Sequence, residues 1–200
     1  MSIFLIIINN HILQLARKKD QVISNLLFFF IFISIYLILS ANLPAREGYL
    51  IIFIWLSLLS SLIFVDFLKD DFRDGSIEQM ITNLPSLEIY IAAKIIGNWL
   101  IYCLPKLIIL SLLNFIKISD FLIISLATLS ISFICSFAAS FSSSGNSSLV
   151  AIIALPLTIP ILLLASGNFP SRLPIIIALL IFLAPILTFA SAKIVKIISD

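Results

Sequence analysis

Six of the ten acidic residues lie between Asp66 and Glu88. Five of them sit in the stretch Asp66-Phe-Leu-Lys-Asp-Asp-Phe-Arg-Asp-Gly-Ser-Ile-Glu-Gln-Met-Ile-Thr-Asn-Leu-Pro85, and Glu88 follows it. Clustered carboxylates are what metal-assisted hydrolysis uses, but a two-metal site needs a second set from a neighbouring element, and no second acidic cluster appears in the next helix. The single histidine, His11, rules out a histidine-based triad or a multi-histidine metal site. No Gly-x-x-x-x-Gly-Lys is present, so ATP is not handled by this chain. The two cysteines, Cys103 and Cys135, lie inside apolar runs and read as packing residues. These residue types offer recognition rather than bond-making chemistry, so neither a catalytic residue nor a metal site is expected.

Two narrower chemical readings are disfavoured by what surrounds the residues. Asp71-x-x-Asp74-Gly75 resembles the opening of the metal-binding motif of the CDP-alcohol phosphotransferases. That motif continues with Ala-Arg and two further spaced aspartates, whereas Ser76, Ile77, Glu78 and Gln79 follow here. His11 has the chemistry to ligate haem iron, yet its place in an amphipathic terminal segment predicts an exposed interfacial histidine.

The second half of the acidic stretch predicts a short helix with explicit punctuation. Gly75 permits a sharp entry, Ser76 and Gln79 have the spacing of a capping box, and Asp74 and Glu78 suit the positive end of the helix dipole. Pro85 stops it. Ile77, Met80, Ile81 and Leu84 fall at i, i+3, i+4 and i+7 and give one apolar face. That face must dock on the bilayer surface, on the chain's own helix ends or on another protein. The acids Asp70, Asp71, Asp74 and Glu78 weigh against anionic headgroups, whereas a groove on a soluble partner takes such a helix readily.

The elements that would carry this loop are dictated by composition. With 62% apolar and 11% charged residues, most of the surface must face lipid, and the long Ile, Leu and Phe runs predict an all-α membrane protein with one transmembrane domain over residues 1–200. A net charge of +2 with no basic, aromatic-interleaved run excludes nucleic-acid binding. Residues 1–20 form an apolar run followed by Arg17, Lys18 and Lys19, the reverse of a signal peptide. Leu5, Ile8, Ile12 and Leu15 share a helical face opposite Asn10, Gln14 and Arg17, which predicts an interfacial amphipathic helix. Six spans are expected at about Val22–Asn42, Gly48–Val65, Tyr90–Leu113, Phe121–Phe141, Leu149–Gly167 and Leu173–Val195. The Lys and Arg distribution places both termini and the 66–88 loop in the cytoplasm, or on the matrix side of a mitochondrial inner membrane.

Within the spans, Thr128, Ser132, Ser136, Ser140 and Ser144 recur every four residues as a ridge for close helix approach. Pro156 and Pro160 lie one turn apart, and a kinked or unwound helix is expected there. Lys106 falls towards the end of its span and is expected to snorkel outward.

Lys69-Asp-Asp-Phe-Arg-Asp-Gly-Ser-Ile-Glu-Gln79, Leu84-Pro85, Ala93-Lys94 and Leu155-Pro-Leu-Thr-Ile-Pro160 together resemble the signature of the CcmB permease family of cytochrome c maturation, relatives of the type-2 ABC exporters. The resemblance covers nearly the whole chain, and Asp-Gly-Ser-Ile-Glu-Gln is its specific part. It implies an N-terminal amphipathic helix plus six spans in a type-2 ABC exporter-like fold, and a permease for haem export or delivery in a bacterial inner membrane. ATP would be hydrolysed on a separate ABC ATPase subunit, with no enzymatic activity in the permease. Residues 66–88 would be the cytoplasmic coupling loop, with Asp74, Gly75, Ser76, Ile77, Glu78, Gln79, Met80, Ile81 and Leu84 as coupling residues. Haem would be cargo, and a haem-handling membrane protein and a haem chaperone would be further partners, in a homodimer or heteromeric complex. Another type-2 exporter, for lipid or polysaccharide, and a non-transporting assembly scaffold are the alternatives. No substrate-binding residue is assigned.

Overall fold

The computed structural model of the chain describes residues 3–39, 68, 71–72, 74–83, 86–113, 115–116, 118–141, 147–166 and 172–199, and every element among them is a helix. In chain order these are α1 (Ile3–Arg17), α2 (Lys19–Leu39), α3 (Ser76–Asn83), α4 (Leu87–Asn98), a π-helical turn at Trp99–Cys103, α5 (Leu104–Leu112), α6 (Ile118–Phe141), α7 (Ser147–Ser166) and α8 (Arg172–Ser199). Strands are disfavoured in a chain whose surface faces lipid, because a helix satisfies its own backbone donors and acceptors.

Among the described residues, four helices are long and apolar enough to cross a membrane: Lys19–Ile38, Leu87–Leu112, Asp120–Phe141 and Arg172–Ser199. They match the first, third, fourth and sixth expected spans. The fifth corresponds to α7, a 20-residue apolar helix, and the expected span Gly48–Val65 lies outside the described residues. The third span is one continuous rod made of α4, the π-turn and α5. Pro105, at the start of α5, has no N–H to give to the α-helical ladder. Just before it the Leu104 N–H donates to the carbonyl of Trp99, five residues back, and the turn widens.

The core is the packing of α6 against α7 and α8. Thr128, Ser130, Ser132, Ser136 and Ser140 are all buried on α6, beside Ala127, Ala138 and Ala139. Small side chains let helix axes approach, which is how helices associate where lipid is as apolar as leucine. The expected ridge therefore packs as a ridge; Ser144 lies outside the described residues. Most of its hydroxyls donate to their own helix, as in Ser132 Oγ to Thr128 O (3.0 Å) and Ser130 Oγ to Leu126 O (3.0 Å). The indole of Trp99 donates to Thr128 Oγ1 (3.1 Å), tying the π-turn to α6. At the end of the bundle away from α3, Asp120 pairs with Arg172 and joins the starts of α6 and α8.

α7 is helical from Ser147 to Ser166, with Pro156 and Pro160 inside it. Between them Thr158 Oγ1 donates to Leu155 O (2.9 Å). One expectation is corrected. Lys106 does not snorkel: it is 1% exposed, with its ammonium 5.9 Å from the ring centre of Phe29 on α2. α1 packs along α4, with His11 and Leu15 buried and Leu5 half exposed.

Candidate partner-coupling site

Gly75 opens α3 with a φ of +66°, a left-handed conformation that an L side chain resists. The capping box does not form. Ser76 is the first helical residue, and its hydroxyl donates back to the carbonyl of Asp71 (3.2 Å). The positive φ at Gly75 turns the chain one residue earlier than a serine cap would require, leaving Ser76 free to brace the preceding turn.

Over its eight residues α3 has a strongly divided surface. Ile77 is 1% exposed, and Met80 and Ile81 pack half-buried against the core, where α3 meets α4 and α8. Of the three docking options for the apolar face, the chain's own bundle is the one observed. Asp74, Glu78, Gln79 and Thr82 are turned outward. Leu84 and Pro85 lie outside the described residues. The exposed edge of α3 is polar and, with the adjoining Asp74, carries two carboxylates.

The loop is anchored to the third span through one carboxylate. Asp71 Oδ2 accepts a hydrogen bond from Tyr90 Oη (2.8 Å) and pairs with the ammonium of Lys94. Both donors project from α4 and are buried. A charge-assisted, doubly donated carboxylate of this kind is directional as well as strong. Phe72 packs beside it on the core.

Tyr90, Lys94 and Asn98 recur every four residues and make one buried polar stripe along α4. Its last member meets the N-terminal helix: His11 Nε2 donates to Asn98 Oδ1 (3.1 Å). The imidazole fits because residue 97 is glycine. A methyl group there would stand 2.9 Å from His11 Cδ2. Burial, then the nearby Lys94 ammonium, push the His11 pKa down to about 4, against the opposing pull of the Asn98 hydrogen bond and the Asp71 carboxylate. The ring is therefore neutral at pH 7 and must carry its proton on Nε2, since an amide oxygen only accepts.

The sequence-predicted residues thus divide. Asp74, Glu78 and Gln79 lie together on an outward edge, Ile77, Met80 and Ile81 lie inward, and Gly75 and Ser76 set the entry. His11, expected to be exposed, is only 9% exposed and bonded to a transmembrane helix. The four-residue spacing of Tyr90, Lys94 and Asn98 was the signal for this stripe, hidden because Lys94 reads equally well as an interfacial charge. Among the described residues no three His, Cys, Asp or Glu side chains come together as metal ligands. The arrangement can transmit force and hold charge.

The family model for the CcmB protein matches residues 2–198. Over 110 residues the chain is 31% identical to heme exporter protein B of Haemophilus influenzae, an alignment covering 54% of this chain and 50% of that protein. The matched region thus spans about half the length of this curated relative.

Proposed function

The chain belongs to the CcmB protein family, and from that membership and the geometry of α3 we propose that it is the permease subunit of an ABC transporter for haem export or delivery in c-type cytochrome biogenesis. The relative named heme exporter protein B supports haem as the cargo. In this reading six helices span a bacterial inner membrane in a type-2 exporter arrangement. Both termini and α3 face the cytoplasm, and ATP is hydrolysed on a separate subunit. The permease makes and breaks no covalent bonds; haem-handling proteins on the same pathway, and a second permease copy, complete the assembly.

One observation carries the reading: a short helix outside the spans is rooted inside the bundle by Ile77 and Asp71 while its edge of Asp74, Glu78 and Gln79 is free. An ATPase that grips this edge moves α3 as a rigid piece, and the Asp71 tie passes the displacement directly to α4. A partner surface rich in Lys or Arg is the complement of that edge.

The test separates the two faces. Glu78→Lys, on the exposed edge, is expected to abolish capture of the ATPase subunit and to lower c-type cytochrome levels, with membrane insertion and protein abundance kept. Ile77→Asp is expected to lower abundance instead, because it buries a charge. Unchanged capture together with unchanged cytochrome levels in Glu78→Lys would overturn the proposal.

A further inference from the structure

The polar stripe of α4 joins two elements that are far apart in sequence, the N-terminal helix and the loop that begins at Asp71. We propose that α1 and this loop are energetically coupled through α4, with His11 and Asn98 acting as positioning residues for the Asp71 anchor. The proposal rests on the preceding reading only in calling the loop a coupling loop.

The physical basis is the shared environment of Lys94. Its ammonium is buried and its charge is met by Asp71. The His11 imidazole is bonded to Asn98, one helical turn from Lys94; its basicity is lowered first by burial and then by the Lys94 charge, while Asp71 opposes the shift. While α1 is docked, its His11 ring fills the Gly97 notch and is bonded to Asn98, covering this end of the stripe. Ion pairing strengthens steeply as the local dielectric falls. If α1 leaves, water enters and the Lys94–Asp71 pair weakens. If Asp71 leaves, the Lys94 ammonium loses that carboxylate, its repulsion of a protonated His11 grows, and α1 docking weakens in turn. Such coupling must be reciprocal.

Hydrogen exchange on the full chain in lipid nanodiscs reads both ends at once, with no ATPase present. His11→Ala is expected to raise exchange in α1 and also, by at least about fivefold, in residues 71–83. Asp71→Asn should raise exchange in α1 by a similar factor, and the double variant should fall short of the product of the two single effects by about that factor. Gly97→Ala provides an independent route to the same end, displacing the ring by sterics instead of removing it. Exchange across α6 reports that the bundle is intact in each variant.

The proposal is overturned if His11→Ala frees α1 while residues 71–83 exchange as before, if it leaves α1 itself unchanged, or if the double variant is strictly multiplicative. Failure here leaves the ATPase reading untouched, because that reading is tested by capture through Glu78.

Discussion

Acidification should release α1 from α4, because docking holds His11 neutral. The His11 pKa is about 4 in the docked state, against 6.5 for a solvated histidine. Between these values the undocked helix binds a proton that the docked one refuses, so docking stability rises with pH across the window, is complete above pH 6.5 and is lost as pH falls towards 4. The full gap corresponds to about 3 kcal/mol, at about 1.4 kcal/mol per decade, and about 2 kcal/mol of it is already lost at pH 5. The chain has one histidine, so imidazole nitrogen resonances from labelled protein in nanodiscs report on this site alone. While α1 is docked, no titration should appear between pH 6 and 7. Undocking of α1, followed by hydrogen exchange or by a spin label on the exposed Leu13, should grow between pH 6 and 4. His11→Gln should give a flat profile across the same range. A His11 midpoint near 6.5 with α1 still docked would refute the burial on which the calculation rests.

Two further predictions follow from buried groups in the spans. Replacing Lys106 with Met keeps the side-chain length and removes a charge held in an apolar setting against Phe29; thermal unfolding in detergent should show stabilisation by about 1–2 kcal/mol, because burying an ammonium costs more than its contact with one aromatic ring returns. Ser136 is fully buried on α6 and its hydroxyl has no hydrogen-bond partner among the described residues. Ser136→Ala should therefore be neutral or stabilising by up to about 1 kcal/mol, whereas Ser136→Leu should cost about 1–3 kcal/mol by forcing α6 away from its neighbours. The same unfolding measurement checks both.

Much of the short polar-edged helix could be read from residue order alone. Gly75, Ser76 and the apolar face of Ile77, Met80 and Ile81 mark a short helix outside the spans, and the structure contains that helix from Ser76 to Asn83. Its start differs in detail. The left-handed Gly75 makes the turn, and the Ser76 hydroxyl goes to Asp71 instead of capping. A capping box and a back-bonded serine share the same residue types, and only the path of the preceding turn separates them.

His11 and Lys106 were misread for one common reason. In a soluble chain the alternation of polar and apolar residues tells which face of a helix points inward, because the two solvents differ. Here lipid and protein interior are both apolar, so periodicity locates the helices without saying which apolar face meets protein. Length, apolarity and the charged stretches between runs were enough to predict a helical membrane protein carrying a polar loop. Tertiary structure alone decided the inward faces, and it did so by shape and pairing. The missing side chain of Gly97 admits the His11 ring, the small residues of α6 admit its neighbours, and Lys94 on α4 gives the Asp71 carboxylate a buried cation to pair with.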